Sequence, residues 1–120
     1  MAGLSTRVRI KRIYEPSARG DGARILVDRL WPRGIAKEKA GVDLWLKELA
    51  PSDALRKRFH AKPDEWDEFR RDYAEELTDA REAVAELQRH LREGPVTLLY
   101  AARDEDRNNA VALQAWLDRR

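Results

Sequence analysis

Val96-Thr97-Leu98-Leu99-Tyr100 is the clearest strand of the chain. Its β-branched, aliphatic and aromatic side chains form an unbroken run of the kind found in strands covered on both faces. Gly94 ends the segment before it, and Asn108 or Asn109 can cap a helix after it, with Ala110, Leu113 and Leu117 on one face. Upstream lie two long helical patterns. Trp66, Phe69, Tyr73 and Leu77 make one apolar stripe, with Pro63 suited to a first helical position. Ala80, Val84, Leu87 and Leu91 make the next, and Asp79 with Glu82 three residues on resembles a capping box.

Further upstream, Ile25-Leu26-Val27 is a second short apolar run flanked by charge, giving a buried strand over 25–29. The long helical insertion makes the pair 25–29 and 96–100 parallel, with a right-handed crossover. Val8 to Tyr14 alternates apolar and basic residues and reads as a first strand, with Val8 and Ile10 off one face. Glu15 to Gly22 is a loop. About ten residues are few for a parallel crossover, so antiparallel pairing of the first two strands is expected. Trp31-Pro32-Arg33-Gly34 reads as a tight turn. Val42, Trp45, Leu46 and Leu49 fit helical spacing, so a short helix is preferred over a strand at 42–49. Pro51 stops it, and Ser52 caps a helix to about His60. The order gives an α/β fold: a small central, mostly parallel sheet flanked by helices in a single domain over 7–120, after a flexible N-terminus over 1–6.

The chain has 120 residues, 42% hydrophobic and 38% charged, which suits one domain with a charged exterior. It has no cysteine, which excludes disulfides and thiolate chemistry, and His60 and His90 lack ligand spacing, so no metal is expected. Neither an eighteen-residue apolar run nor a signal-type N-terminus is present, so no membrane association and a cytoplasmic location are expected. A net charge of +2 hides an asymmetry: residues 1–62 carry 15 basic and 7 acidic side chains, residues 63–120 carry 9 and 15. Such a division can mark an anion-binding face, or only an acidic solvated helix surface beside scattered bases.

The chemistry-bearing residues gather after the buried strands: Asp28, Arg29, Arg33 and Lys37, then Tyr100, Arg103 and Asp104, then Asn108 and Asn109 at a helix start. Ligands of open α/β sheets sit outside the carboxyl ends of the strands, where guanidinium forks and helix N–H groups suit a small anion. The same segments read as plain structure give Asp28 paired with Arg29 or Arg33 as a turn brace, and an asparagine cap. Ser52 lacks a nucleophile elbow and reads as a helix cap. Asp28 and Asp104 would form an acid/base pair if their loops adjoin. Arg7, Arg9, Lys11 and Arg12 with Arg29, Arg33, Lys37 and Lys39 could track a phosphate backbone, but no recognition-helix signature accompanies them and the long helices are acidic, which argues against nucleic acid. No P-loop or dinucleotide fingerprint is present, and no cofactor is expected.

Ile10-Lys11-Arg12-Ile13-Tyr14-Glu15-Pro16, Arg24 through the string Asp28-Arg29-Leu30-Trp31-Pro32-Arg33-Gly34, Trp45 to Ser52, Leu55-Arg56, and Leu98 to Asp104 with Asn108-Asn109-Ala110-Val111 resemble the YeaO-like family of bacterial proteins, domain of unknown function 488. The resemblance implies a small bacterial cytoplasmic α/β protein and no particular reaction. Carried onto this chain, it favours Arg12, Asp28, Arg29, Trp31, Arg33, Lys47, Ser52, Arg56, Tyr100, Asp104 and Asn109 as pocket residues. Two departures stand out. Ala61-Lys62-Pro63 replaces the His-Asp-Pro common in such proteins, and Arg103 stands where lysine is common. The expected function is binding of a phosphate- or carboxylate-bearing small molecule. Arg29, Arg33 and Arg56 would clamp it, Ser52 and Asn109 would donate hydrogen bonds, and Asp28 or Asp104 would orient them or act as acid or base. A non-enzymatic interaction or regulatory module is the competing class. Catalysis or binding alone, and monomer or homodimer, stay open at this stage.

Overall fold

A computed structural model describes residues 8–119. The expected tail over 1–6, and Arg7, lie outside the described residues. Four strands, β1 (Val8–Arg12), β2 (Ala23–Leu26), β3 (Leu44–Trp45) and β4 (Val96–Tyr100), form one sheet in the order β1-β4-β2-β3. Every pairing is parallel. The helices are α1 (Lys37–Ala40), α2 (Asp53–Ala61), α3 (Trp66–Asp79), α4 (Arg81–Glu93) and α5 (Asn109–Asp118).

The strand alternation divides the core in two. Ile25 and Val27 with Val96, Leu98 and Tyr100 face a large cluster containing Phe69, Tyr73, Leu77, Val84, Leu87, Leu91, Leu113 and Leu117 from α3, α4 and α5. Leu26 and Leu99 point the other way, to Ile13, Ala40, Trp31, Ile35, Val42 and Trp45. Consecutive strand side chains leave opposite faces, so the unbroken apolar run of β4 is what a strand buried on both sides requires. The three long helices thus cover one face, and the segment 31–45 covers the other.

The first two strands are neither antiparallel nor neighbours: β4 lies between them and pairs with both. Their connection needs no helix. Ten residues with one 3₁₀ turn, at Arg19–Asp21, are enough to return along a five-residue strand, since even seven extended residues reach roughly 23 Å, and Ile13 packs into the second core on the way. The helix expected over 42–49 is instead β3 followed by a 3₁₀ turn at Lys47–Leu49. Val42 and Trp45 belong to the second core while Leu44 and Leu46 belong to the first. Apolar residues serving both faces of an edge strand imitate helical spacing over so short a window.

Two start signals move. Pro63 precedes α3, which begins at Trp66, and sits in a turn closed by the Glu65 N–H on the Lys62 carbonyl at 3.0 Å. Asp79 is the last residue of α3, and Ala80 alone joins it to α4, with no side-chain cap. The caps at Ser52 and Asn108 form as expected, accepting from the N–H groups of Leu55 at 3.2 Å and Val111 at 2.9 Å.

Gly22 opens β2 at φ 65°, where the adjacent Ala23 N–H donates to the Pro95 carbonyl at 3.0 Å. A Cβ at Gly22 would stand 2.1 Å from that carbonyl oxygen. Gly22→Ala is expected to destabilise the fold by at least about 2 kcal/mol, from left-handed strain plus the clash. Urea unfolding measures it, and a loss below about 1 kcal/mol would show that the β2–β4 entry is not held as closely as described.

Candidate functional site

In the order β1-β4-β2-β3 the chain leaves β2 outward to β3 and leaves β4 toward α5, which packs on β1 and β4. The two connections diverge and open a crevice at the carboxyl ends of β2 and β4, the position where parallel sheets accept ligands. A cavity of about 770 Å³ occupies it, within the usual range for small-molecule sites. Its lining comes from 28–33 after β2, from Ala50, Pro51, Arg56, Phe59, His60 and Pro63 around α2, from Phe69 of α3, and from 101–104 and 107–109 before and at the start of α5.

Asp28 ties these segments together. Its Oδ2 accepts from the Ala101 N–H and its Oδ1 from Asn109 Nδ2, both at 3.0 Å, while its carbonyl accepts from Trp45 Nε1 at 2.6 Å. Burial pushes its carboxyl above the ordinary range, against the opposing pull of those hydrogen bonds and of the Arg56 charge. Asn109 Nδ2 also donates to the Val27 carbonyl at 2.9 Å, so both its protons are engaged inside the protein.

The arginines divide into two groups. Arg29 staples the 50–51 segment, donating from Nε to the Pro51 carbonyl at 3.2 Å and from Nη2 to that of Ala50 at 3.4 Å. Arg12 does the same for the β4 exit, donating to the carbonyls of Ala102 at 2.9 Å and Ala101 at 3.1 Å. In contrast, the guanidinium groups of Arg33, Arg103 and Arg107 make no hydrogen bond or ion pair among the described residues, and all three line the cavity. Arg56 has only an exposed contact with Asp53 at 3.5 Å, a pairing worth about 0–1 kcal/mol.

Of the residues singled out in the sequence, Asp28, Arg29, Trp31, Arg33, Arg56, Asp104 and Asn109 line the cavity, and Arg12, Lys47, Ser52 and Tyr100 do not. Ser52 Oγ donates to Glu76 Oε2 at 2.7 Å and accepts from Leu55, so it fixes the start of α2 and has no proton left for a ligand. Lys47 lies over the Trp45 ring, 4.3 Å from its centroid. Tyr100 is buried in the first core, and burial raises its phenol. Asp104 is exposed. Its Oδ1 accepts from the N–H groups of Asp106 at 2.9 Å and Arg107 at 3.0 Å, and those bonds hold the carboxyl below its ordinary range. It shapes its own loop. Trp31 donates from Nε1 to the Ile35 carbonyl at 2.7 Å and meets Trp45 edge-on at 5.5 Å.

Sequence reasoning passed over Phe59, His60, Pro63, Phe69 and Arg107. The part of Phe59, His60, Pro63 and Phe69 in the wall depends on how α2 and α3 dock, which helical spacing alone does not carry, whereas Arg107 stands in the loop just before α5. The basic residues considered for a phosphate track are partly engaged as well. Lys11 pairs with Asp21 at 3.2 Å, and Arg12 and Arg29 bind carbonyls. Among the described residues no three His, Asp or Glu side chains converge as metal ligands, and no helix is long and apolar enough to cross a membrane.

A family model described as the inactive DUF488-N3 subclade matches residues 7–120. The uncharacterized protein YeaO of Escherichia coli is 43% identical over 110 residues, 92% of this chain and 96% of its own. Uncharacterized proteins of Mycobacterium tuberculosis and Mycobacterium bovis are each 44% identical over 115 residues, 96% of this chain and 97% of theirs. No solved structure matches the chain.

The folded state binds the Asp28 proton more tightly than the unfolded chain, whose value is near 3.8. The stability Asp28 contributes is therefore full below that value and is lost as pH rises through the higher folded one. Relative to Asp28→Asn, which does not titrate, the parent protein is expected to lose stability as pH rises above about 4 in urea unfolding. A difference between the two proteins that stays flat, or that moves in the parent's favour as pH rises, contradicts the burial argument.

Proposed function

The chain belongs to the YeaO-like DUF488 family, whose bacterial relatives are uncharacterised, and from that footing we propose that it is a binding module holding a small phosphate- or carboxylate-bearing molecule in the crevice beyond the carboxyl ends of β2 and β4. The observation that carries the reading is that Arg33, Arg103 and Arg107, whose guanidinium groups make no hydrogen bond or ion pair among the described residues, come from two distant loops to line one cavity. Guanidinium is the side chain best matched to planar bidentate contact with carboxylate or phosphate. The start of α5 opens on the same cavity through Asn108 and Asn109, and a helix N-terminus adds partial positive charge.

Binding without turnover is the better-supported form of this reading. Among the described residues no serine lines the cavity. Both Asp28 oxygens hold internal hydrogen bonds, and Asp104 is committed to its own turn. The description of the matching subclade as inactive agrees with this.

A thermal-shift titration with inorganic phosphate and with acetate tests the proposal. Either anion is expected to raise the melting temperature. Each of Arg33→Ala and Arg107→Ala is expected to weaken affinity about twofold to fivefold, as suits exposed charge contacts, and the double variant more. No shift with either anion, or an undiminished shift in the double variant, removes the proposal.

A further inference from the structure

Resting on that anion site, we infer that its ligand carries an aromatic body: an aryl phosphate or aryl carboxylate, not a bare inorganic anion. Most of the cavity wall is apolar. Phe59 and Phe69 stack with centroids 4.5 Å apart, and Pro63 adjoins them in the lining. Leu30, Trp31 and Pro32 supply the rest from the loop after β2. Leu30 is 65% exposed, the most exposed large apolar side chain among the described residues, and it stands on the cavity wall rather than alone on the surface. Exposed apolar surface continuous with a concave site marks what the site covers when filled.

The two halves of the lining ask for different things. Inorganic phosphate would meet only the guanidinium donors of the lining and fill a small part of about 770 Å³, leaving the apolar wall wet. A neutral hydrocarbon would dry the wall and leave the guanidinium groups with water alone. One molecule with a flat apolar ring and one acidic group meets both. Aromatic rings pack edge-on or offset against tryptophan and phenylalanine, and guanidinium planes stack on ring faces, so an aryl body fits this lining better than a flexible chain that would lose rotamer freedom.

Isothermal titration calorimetry of the full chain with phenyl phosphate, inorganic phosphate, benzoate, acetate and benzyl alcohol separates the possibilities. Phenyl phosphate is expected to bind at least about tenfold more tightly than inorganic phosphate, and benzoate to exceed acetate similarly, from the apolar area removed from water. Benzyl alcohol is expected not to bind. Leu30→Ser, at an exposed position that leaves the core untouched, is expected to narrow the phenyl phosphate advantage severalfold while leaving inorganic phosphate unchanged. If phosphate and acetate bind and the aryl compounds bind no better, the aromatic body is wrong and the anion site stands. If none of the anions binds, both fall. If the aryl preference is present but survives undiminished in both Leu30→Ser and Phe59→Leu, the ring sits elsewhere and the inference is overturned.

Discussion

The Asp28 carboxylate is the contact on which the site depends. It lies two residues beyond β2 and reaches β4 through the Ala101 N–H, α5 through the Asn109 amide, and β3 through its own carbonyl and Trp45. Hydrogen bonds to an ionised acceptor are worth about 1.5–3 kcal/mol each, so the two at the carboxylate outweigh most single surface contacts in the molecule. They also carry opposed demands. The bonds favour the anion and burial favours the neutral acid, and burial prevails in the net displacement of the carboxyl. The crevice is therefore set by a buried carboxyl on which desolvation and internal hydrogen bonds pull in opposite directions.

Part of the positive charge in the basic half of the sequence is internal scaffolding. Arg24, 5% exposed, donates to Asp21 at 2.5 Å and to the carbonyls of Gly41 at 2.9 Å and Ala40 at 3.1 Å, tying the segment before β3 to β2. Arg12 and Arg29 secure carbonyls at the exit of β4 and at the entry to α2. Loop carbonyls at the end of a parallel sheet have no strand partner, and guanidinium, with five donors in a fixed fork, meets several of them at once. A count of positive charge thus overstates the anion site. What distinguishes Arg33, Arg103 and Arg107 is that their guanidinium groups have no hydrogen-bond acceptor among the described residues, a property of the folded chain and not of its composition.

What could be read from the sequence follows the same division. β4 was legible because five apolar residues between turn signals leave no other role, and α2 and α5 because Ser52 and Asn108 precede apolar periodicity. The segment 42–49 was not, since Val42, Leu44, Trp45 and Leu46 alternate between two cores and so mimic one helical stripe. The meeting of 28–33 and 101–104 at one cavity follows the rule that ligands sit beyond strand ends, whereas the part of Ala50, Pro51 and Arg56 depends on how α2 docks. The role of Ser52 was only half legible. Its cap is local, whereas its second partner, Glu76, lies 24 residues away on α3. The aromatic wall was hidden for the same reason: Phe59 and Phe69 look like two separate helical stripes until α2 and α3 pack together.

One consequence joins the cavity to the lesser core. All three long helices lie against one face of the sheet, so the other face is closed by the chain between β2 and β3. That segment begins in the cavity wall at Asp28 to Arg33 and ends in the second core at Val42 and Trp45. Trp31 belongs to both: it lines the cavity, it meets Trp45 edge-on, and its indole N–H closes the turn onto Ile35. The Tyr14 hydroxyl, donating to the Arg33 carbonyl at 2.8 Å, pins the same turn to the end of β1. A molecule seated against Leu30 and Trp31 therefore presses on a turn whose far side is core packing, and cores answer displacement by repacking rather than by gradual yielding. The wall of the crevice and the cover of the sheet are one piece of chain, with only the single turn of α1 for a helix on that side.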